Sequence, residues 1–313
     1  MKTSSQSYSV VIPVYNSQDN LVSLTNQLKK TLSSLKSPYE VILVNDGSQD
    51  KSWQIIKKLS AQFPWVKAVD LMKNYGQHNA ILCGIRLAKH DIIITMDDDL
   101  QHPPSQIPAL IKHFNQGFDV VYGTPKQDQH ILWRNFASSI IKLALKTTMG
   151  IKMANQVSSF RVFRTSLRQS FKDYHAPQVS IDVLLTWATT NFSSVQVKHH
   201  SRHLGKSNYN FLKLLNHALN MITGFSTKPL KLATLLGFSF TLFGLGIFIY
   251  VIGRYFLLGN HVTGFPFLAS IIAIFSGVQL FAIGIIGEYL SRIYLRILNH
   301  PSYTIRKTTN NKK

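Results

Sequence analysis

Residues 91–104 read DIIITMDDDLQHPP, and the order of events in that stretch decides the fold. Ile92 to Met96 is a short run, apolar but for Thr95 and rich in β-branched side chains, as expected of a strand buried within a sheet. It ends abruptly on three adjacent aspartates. The same grammar recurs on both sides. Strands are expected at Ser9 to Pro13, Glu40 to Asn45, Val66 to Asp70, Asp91 to Met96 and Asp119 to Gly123, with helix-periodic segments such as Leu21 to Leu35 and Ser52 to Gln62 between them. Alternating β and α units predict an α/β domain around a mainly parallel sheet. Open sheets of that kind bind ligands outside the carboxyl ends of their strands, where Asn16, Asp46 and Asp97 to Asp99 converge.

At 313 residues and 45% hydrophobic content the chain is long and apolar enough for one large α/β domain plus further elements. Its 34 Lys and Arg against 14 Asp and Glu give a formal charge of +20, which implies a polyanionic partner: phospholipid, nucleic acid or a phosphorylated substrate. No zinc-ligand spacing or basic helix motif supports nucleic acid, and no GxGxxG follows the first strand to support a dinucleotide. The single cysteine, Cys83, excludes an intrachain disulfide and is read as a core residue in a reducing compartment. The first apolar run begins at Val10 and is broken by Pro13, so no secretory segment is expected ahead of the fold and the N-terminal part is placed in the cytoplasm.

Two runs without a charged residue, Leu232 to Ile252 and Phe265 to Ile286, are each long enough to cross a bilayer core of roughly 30 Å at about 1.5 Å per residue. They are read as a transmembrane hairpin. Lys228 and Lys231 precede it, Arg292, Arg296, Arg306 and Lys307 follow it, and the loop between the runs offers only Arg254, which places both ends in the cytoplasm. Glycines at 237, 244, 246, 277, 284 and 287 are available for close helix approach. Upstream, Ile131 to Met149 and Tyr209 to Phe225 have the pattern of amphipathic helices, either docked on the domain or lying in the membrane interface. The expected organisation is therefore a catalytic domain over 1–207, an interfacial helix and linker over 208–231, two membrane helices over 232–290 and a basic cytoplasmic tail over 291–313.

Three of the 14 acidic residues stand side by side at 97–99. Such a cluster is costly unless a cation compensates it, and Mg²⁺ or Mn²⁺ held by one or two carboxylates plus substrate phosphates is the usual compensation. A solvated acidic turn is the plain alternative. A divalent ion here would bridge the two phosphates of a nucleotide sugar and stabilise the charge on the departing diphosphate. Alternation along an extended turn puts Asp97 and Asp99 on one side and Asp98 on the other, so the outer pair is assigned to the ion and to catalysis, with Gln101 completing the metal set.

The segments VVIPVYN at Val10 to Asn16, EVILVNDGSQD at Glu40 to Asp50, KNYGQHNAILCG at Lys73 to Gly84 and DDDLQHPP at Asp97 to Pro104 together resemble glycosyltransferase family 2. With SSFRVFR at Ser158 to Arg164, RHLGKSNY at Arg202 to Tyr209 and the terminal hairpin, the pattern is similar to the polyprenyl-phosphate glycosyltransferases. These include dolichyl-phosphate mannose synthase and the bacterial undecaprenyl-phosphate sugar transferases. The resemblance implies a GT-A fold and inverting transfer of a sugar, from a carrier expected to be UDP, to a polyprenyl phosphate lipid at the cytoplasmic face of a bacterial plasma membrane. It implies that Pro13, Tyr15 and Asp46 line the nucleoside pocket, and Asp98 is placed with the nucleotide. An Arg and a Ser four residues apart hold the lipid phosphate in dolichyl-phosphate mannose synthases, and Arg134 and Ser138 have that spacing; Arg202, Lys206 and Ser207 fall in a loop that closes over the site in such enzymes. Some relatives assemble through their membrane helices, so a homo-oligomer is among the expected partners.

The chain departs from the family pattern in two places. Ser17 stands where many relatives carry Glu after the Tyr-Asn pair, and Ser159 stands where some carry Asp before Phe-Arg. The second change removes one carboxylate a general base would use, and leaves Asp182, in SIDVLLTW, as the next choice for that role or as a helix cap. Two other functions fit parts of the sequence. A processive polysaccharide synthase shares the core, yet the nearest string to its QxxRW motif, Gln129-His130-Ile131-Leu132-Trp133, lacks the Arg. A basic membrane-surface scaffold would use the charge alone.

Overall fold

The computed structural model describes residues 6–125, 157–177, 179–198, 227–258 and 264–309. The chain divides into two compact units, one formed by Met1–Phe211 with Asn299–Lys313 and the other by Leu212–Leu298.

In the first unit the chain runs β1 (Tyr8–Val14), α1 (Leu21–Ser34), β2 (Tyr39–Asn45), α2 (Ser52–Gln62), β3 (Val66–Leu71), α3 (Gln77–Leu87), β4 (Ile92–Thr95), α4 (Ile107–Phe114), β5 (Val120–Pro125), β6 (Arg161–Arg164), α5 (Ile181–Thr186) and β7 (Phe192–Val197). It is completed from far downstream by β8 (Ile305–Thr308). The sheet order is β7-β5-β6-β4-β1-β2-β3-β8. The central strands β4, β1, β2 and β3 are mutually parallel, as the βα alternation predicts. The sheet as a whole is mixed, because β6 lies antiparallel between β4 and β5, and β8 lies antiparallel along β3.

Every residue of β1 is buried, which explains why it reads as a continuous apolar run: helices cover both faces of the sheet. Alternation assigns each side chain to one face. Val10, Ile12 and Val14 meet Leu21, Leu24 and Leu28 of α1, with Ile56 of α2 and Leu110 of α4, on one side. On the other, Val11, Ile42 and Ile93 meet Ala80, Ile81 and Ile85 of α3 and Leu184 of α5. Cys83 lies in this second core, fully buried, with burial pushing its thiol up to about 12, so it behaves as a small hydrophobe.

The second unit holds α6 (Lys228–Leu258) and α7 (Phe265–Ile297). Within them Lys228–Arg254 and Ile274–Ile297 are long and apolar enough to cross a membrane, and neither is buried by protein. The two helices touch through an edge-on ring pair, Phe240 on Phe275 with centroids 5.8 Å apart. Of the six glycines expected to ease helix approach, Gly244 faces the partner, its missing Cβ falling 3.1 Å from Phe275 Cζ; Gly237, Gly246, Gly277, Gly284 and Gly287 have open space there. Aromatic bulk, more than a glycine seam, makes the contact.

One segment differs from expectation. The stretch after α7, read as a basic tail, carries β8, and Asn299–Lys313 belongs to the same unit as the sheet. Its charge pattern concealed this: Arg306 and Lys307 are exposed edge-strand residues, while Ile305 packs against the second core. The amphipathic stretches at 131–149 and 209–225 lie outside the described residues.

The α3–β1 contact sets how closely the helix approaches the sheet. A Cβ on Gly84 would lie 2.2 Å from Val11 Cγ1. Gly84→Ala is expected to destabilise the protein by about 1–3 kcal/mol through overpacking. Thermal unfolding of Gly84→Ala, Val11→Ala and the double variant in detergent checks this: coupling between neighbours makes the double variant less destabilised than the two single losses added together.

Candidate active site

The carboxyl ends of β1, β2 and β4 open on one cleft of about 310 Å³. Pro13, Val14 and Tyr15 reach it from β1, Asp46 from β2, and Asp97, Asp98 and Asp99 from β4; Asn74, Gly76 and Gln77 close it from the loop that leads into α3. The clustering follows from register. Val11 pairs with Thr95 and Val14 with Asn45, so the residues that follow these strands emerge at the same edge.

Backbone conformation shapes the rim. Asn16 and Leu100 have positive φ, 52° and 61°, as do Gly47 at 67° and Gly76 at 93°. Asn tolerates this region through local side-chain bonding, and Asn16 Oδ1 accepts from the Gln49 N–H at 2.8 Å. Leu100 has no such help, so the turn straight after Asp99 is held by its surroundings at a cost. Gly47 admits no other residue: a Cβ would stand 2.5 Å from both Asn74 N and Lys73 C.

Asp46, 2% exposed, uses both oxygens to hold the loop before α3, Oδ1 accepting from the Tyr75 N–H at 2.7 Å and Oδ2 from the Gly76 N–H at 2.9 Å. Burial raises its pKa, against these two donors, which favour the charged form. Nearby, the Asp50 carboxylate accepts from the Ser52 and Gln18 N–H groups.

The three aspartates separate by partner. Asp97 is gripped at both oxygens, Oδ1 by Gln77 Nε2 and Oδ2 by Ser159 Oγ, each at 2.6 Å. Asp98 turns toward β1, Oδ2 accepting the Tyr15 N–H at 3.3 Å, and burial, reinforced by the neighbouring carboxylates, pushes it up to about 7. Asp99 Oδ1 accepts the Gln101 N–H at 3.1 Å. Gln101 thus enters through its backbone, and its side chain is not among those lining the cleft.

Asp182 stands elsewhere. It is 5% exposed, off the cleft, and pairs with Arg161, which is 1% exposed on β6. Tyr122 Oη donates to the same carboxylate at 3.0 Å, and burial drives that phenol well above its usual range. Arg161 Nε donates at 3.0 Å to Thr95 Oγ1, which in turn donates at 2.7 Å to the Ser159 carbonyl. Since the Ser159 hydroxyl grips Asp97, a continuous polar chain runs from the buried ion pair to the cleft wall. Asp182, read from sequence as a base or a helix cap, is the counter-ion of a buried guanidinium and does not line the cleft. Pairing across β4, β6 and β5 produces this arrangement, and local sequence carries no sign of it. Thr95, Ser159 and Arg161 escape a local reading for that reason, and Gln77 because it reaches Asp97 from the start of α3. Arg134, Ser138, Arg202, Lys206 and Ser207 lie outside the described residues.

Against known proteins, residues 9–174 match the model of "Glycosyl transferase family 2". The chain belongs to that family. It is a glycosyltransferase similar over nearly its whole length to proteins named undecaprenyl-phosphate 4-deoxy-4-formamido-L-arabinose transferase. That of Edwardsiella ictaluri is 36% identical over 306 residues, covering 96% of this chain and 94% of the relative. That of Pectobacterium carotovorum is 34% identical over 303 residues, covering 96% and 93%. Among solved structures, glucosyl-3-phosphoglycerate synthase of Mycobacterium tuberculosis, in complex with Mn²⁺, UDP and phosphoglyceric acid, superposes with a TM-score of 0.54. It is 16% identical and covers 70% of this chain and 76% of its own, a likeness of fold.

The ion pair gives this glycosyltransferase a sensitive point. Asp182→Asn leaves Arg161 charged and buried without a counter-ion, and should cost about 3–5 kcal/mol. Arg161→Met with Asp182→Leu, which removes both charges, should recover most of that loss. Thermal unfolding of the single and paired variants measures the difference.

Proposed function

We propose that this glycosyltransferase moves a sugar from a nucleoside diphosphate onto a polyprenyl phosphate, with inversion at the anomeric carbon. The carrying observation is that three aspartates at the end of β4 share one cleft with Tyr15 and Asp46. Tyr15 is 46% exposed and so offers ring surface to a base, while Asp46 fixes the opposite wall by holding the loop. UDP is the first carrier to test and undecaprenyl phosphate the first acceptor. The sugar in the relatives' names, 4-deoxy-4-formamido-L-arabinose, is the first donor group.

Mg²⁺ or Mn²⁺ suits the donor set, because Asp97 and Asp99 supply hard oxygen ligands on the cleft wall. Among the described residues no group of three or more His, Cys, Asp or Glu side chains is placed to hold a metal, so other positions fall to phosphate oxygens and water. When bound, such an ion offsets the charge gathering on the departing diphosphate. Asp97 is already oriented by Gln77 and Ser159, so little reorganisation accompanies the reaction. Gly76 and Gln77 bring the N-terminus of α3 to the cleft, where its dipole favours the same anion.

The acceptor phosphate is proposed to lie against Arg134, Ser138, Arg202, Lys206 and Ser207. One of its oxygens attacks the anomeric carbon as the bond to the diphosphate oxygen breaks, and the electron pair leaves with the diphosphate. A phosphate monoester oxygen is already ionised near neutral pH, so no protein base is needed, in keeping with the engagement of Asp182 by Arg161. α6 and α7 are proposed to span a bacterial plasma membrane with both ends cytoplasmic, on the charge distribution around them.

Membranes containing the protein, given undecaprenyl phosphate and radiolabelled nucleotide sugars, should yield a charged glycolipid. Asp97→Ala and Asp99→Ala should each lower the rate by about 10²–10³-fold, and EDTA should abolish turnover until Mn²⁺ or Mg²⁺ is restored. A lack of glycolipid with every donor defeats the proposal, and long saccharide products would point to a polymer synthase instead.

A further inference from the structure

The loop between β3 and α3 forms one wall of the cleft through Asn74, Gly76 and Gln77. At its far end it is held by Asp46, through the Tyr75 and Gly76 N–H groups. Its near end, Met72, is held by residues from more than two hundred positions downstream. The Met72 N–H donates to the Thr304 carbonyl at 3.0 Å, and the Met72 carbonyl accepts from Arg306 Nη2 at 2.6 Å. The same guanidinium lies 3.6 Å from Asp70, a carboxylate 3% exposed that also accepts from Asn45 Nδ2 at 2.7 Å.

The clamp is itself anchored. Thr309 exchanges bonds with Ala68, its N–H donating to the Ala68 carbonyl at 2.9 Å and its Oγ1 accepting the Ala68 N–H at 3.0 Å. Ser302 Oγ donates to the Ala176 carbonyl at 2.8 Å, and Tyr303 stacks under Arg86 of α3. The register of β8 on β3 shifts between Asp70 and Leu71, just where the strand gives way to the cleft loop. Bulges at such places re-aim the chain that follows. Packing on Gly47 then leaves the backbone at 73–74 no room to retreat.

We propose that Arg306 is a positioning residue of the nucleotide-sugar site: from the segment following the second long helix it fixes Met72, and with it the wall formed by Asn74 and Gly76. Donor affinity therefore depends on chain that re-enters the sheet only after both apolar helices have been made. The proposal rests on the donor-cleft reading above. It adds that an edge-strand arginine, outside the cleft, contributes to donor binding and not to acceptor binding.

Full-length protein in detergent is compared as wild type, Arg306→Ala, Arg306→Lys and, on the same strand, Lys307→Ala. Two measurements are made, amide hydrogen exchange across 72–76 and calorimetric titration with UDP and Mn²⁺. In Arg306→Ala these amides should exchange roughly tenfold faster and UDP should bind roughly tenfold more weakly, as loss of a charge-assisted bond at a loop base implies. KM for the nucleotide sugar should rise while KM for undecaprenyl phosphate holds. Arg306→Lys should recover part of the effect, since one ammonium reaches either Asp70 or the Met72 carbonyl, and Lys307→Ala should change neither measurement. Unchanged exchange and affinity in Arg306→Ala overturn the proposal. So does an equal rise in both KM values with a lowered unfolding midpoint, the mark of general loss of fold. Wild-type protein that binds neither UDP nor GDP would instead sink the donor-cleft reading and the affinity clause with it, and the exchange result would then judge the clamp alone.

Discussion

A guanidinium enclosed in the middle of a sheet is tolerated only with a counter-charge, and the pairing of Arg161 with Asp182 supplies one. Its consequences extend beyond stability. Arg161 has no room to shift, so Thr95 beside it is fixed; Thr95 fixes the Ser159 carbonyl; and the Ser159 hydroxyl fixes Asp97. The Asp97 carboxylate on the cleft wall is thereby tied, through Ser159 and Thr95, to a charge pair that does not line the cleft. A wholly apolar core at this place would remove the Arg161 bond that fixes Thr95, and with it the support behind the Ser159 grip on Asp97.

The same division between rigid support and exposed chemistry recurs around the rim. Asp46 lines the cleft, yet both its oxygens are committed to the backbone of the facing loop. Strained or glycine-dependent conformations at Asn16, Gly47, Gly76 and Leu100 gather at the carboxyl edge of the sheet, where short loops must turn sharply to bring side chains from three strands together. Strain at one edge is affordable because both faces of the sheet are packed, with Val10 and Val11 each fully enclosed on opposite sides.

What was legible in the sequence follows from the range over which each signal acts. β1 to β5, α1 and α2 are local patterns, and the structure places them within one or two residues of where periodicity does. The acidic triplet is local too, and a parallel sheet forces it to a cleft. β6 and β8 are four residues each and sit antiparallel in an otherwise parallel run, so their partners, not their own composition, define them. Arg161 is one residue of the SSFRVFR segment, and its partners are set only by β6 pairing beside Thr95; Asp182, read as a base or a helix cap, becomes the counter-ion only through that pairing. Arg306 was counted toward membrane orientation, and its contacts with Asp70 and Met72 depend on an edge pairing that no local pattern announces.

Charge placement joins these observations. A chain with a net charge of +20 gathers Asp46, Asp97, Asp98 and Asp99 around a single cleft. A diphosphate entering such a cleft meets like charge on three strand ends, so it needs a cation between itself and the carboxylates. On the proposed reading, the acidic cleft would accept the donor as a metal complex, and the lipid phosphate would fall to the cations proposed for it, Arg134, Arg202 and Lys206. One cationic surface for both would not discriminate between them. Two sites of opposite charge would, because each phosphate would be stable only where its own partner stands.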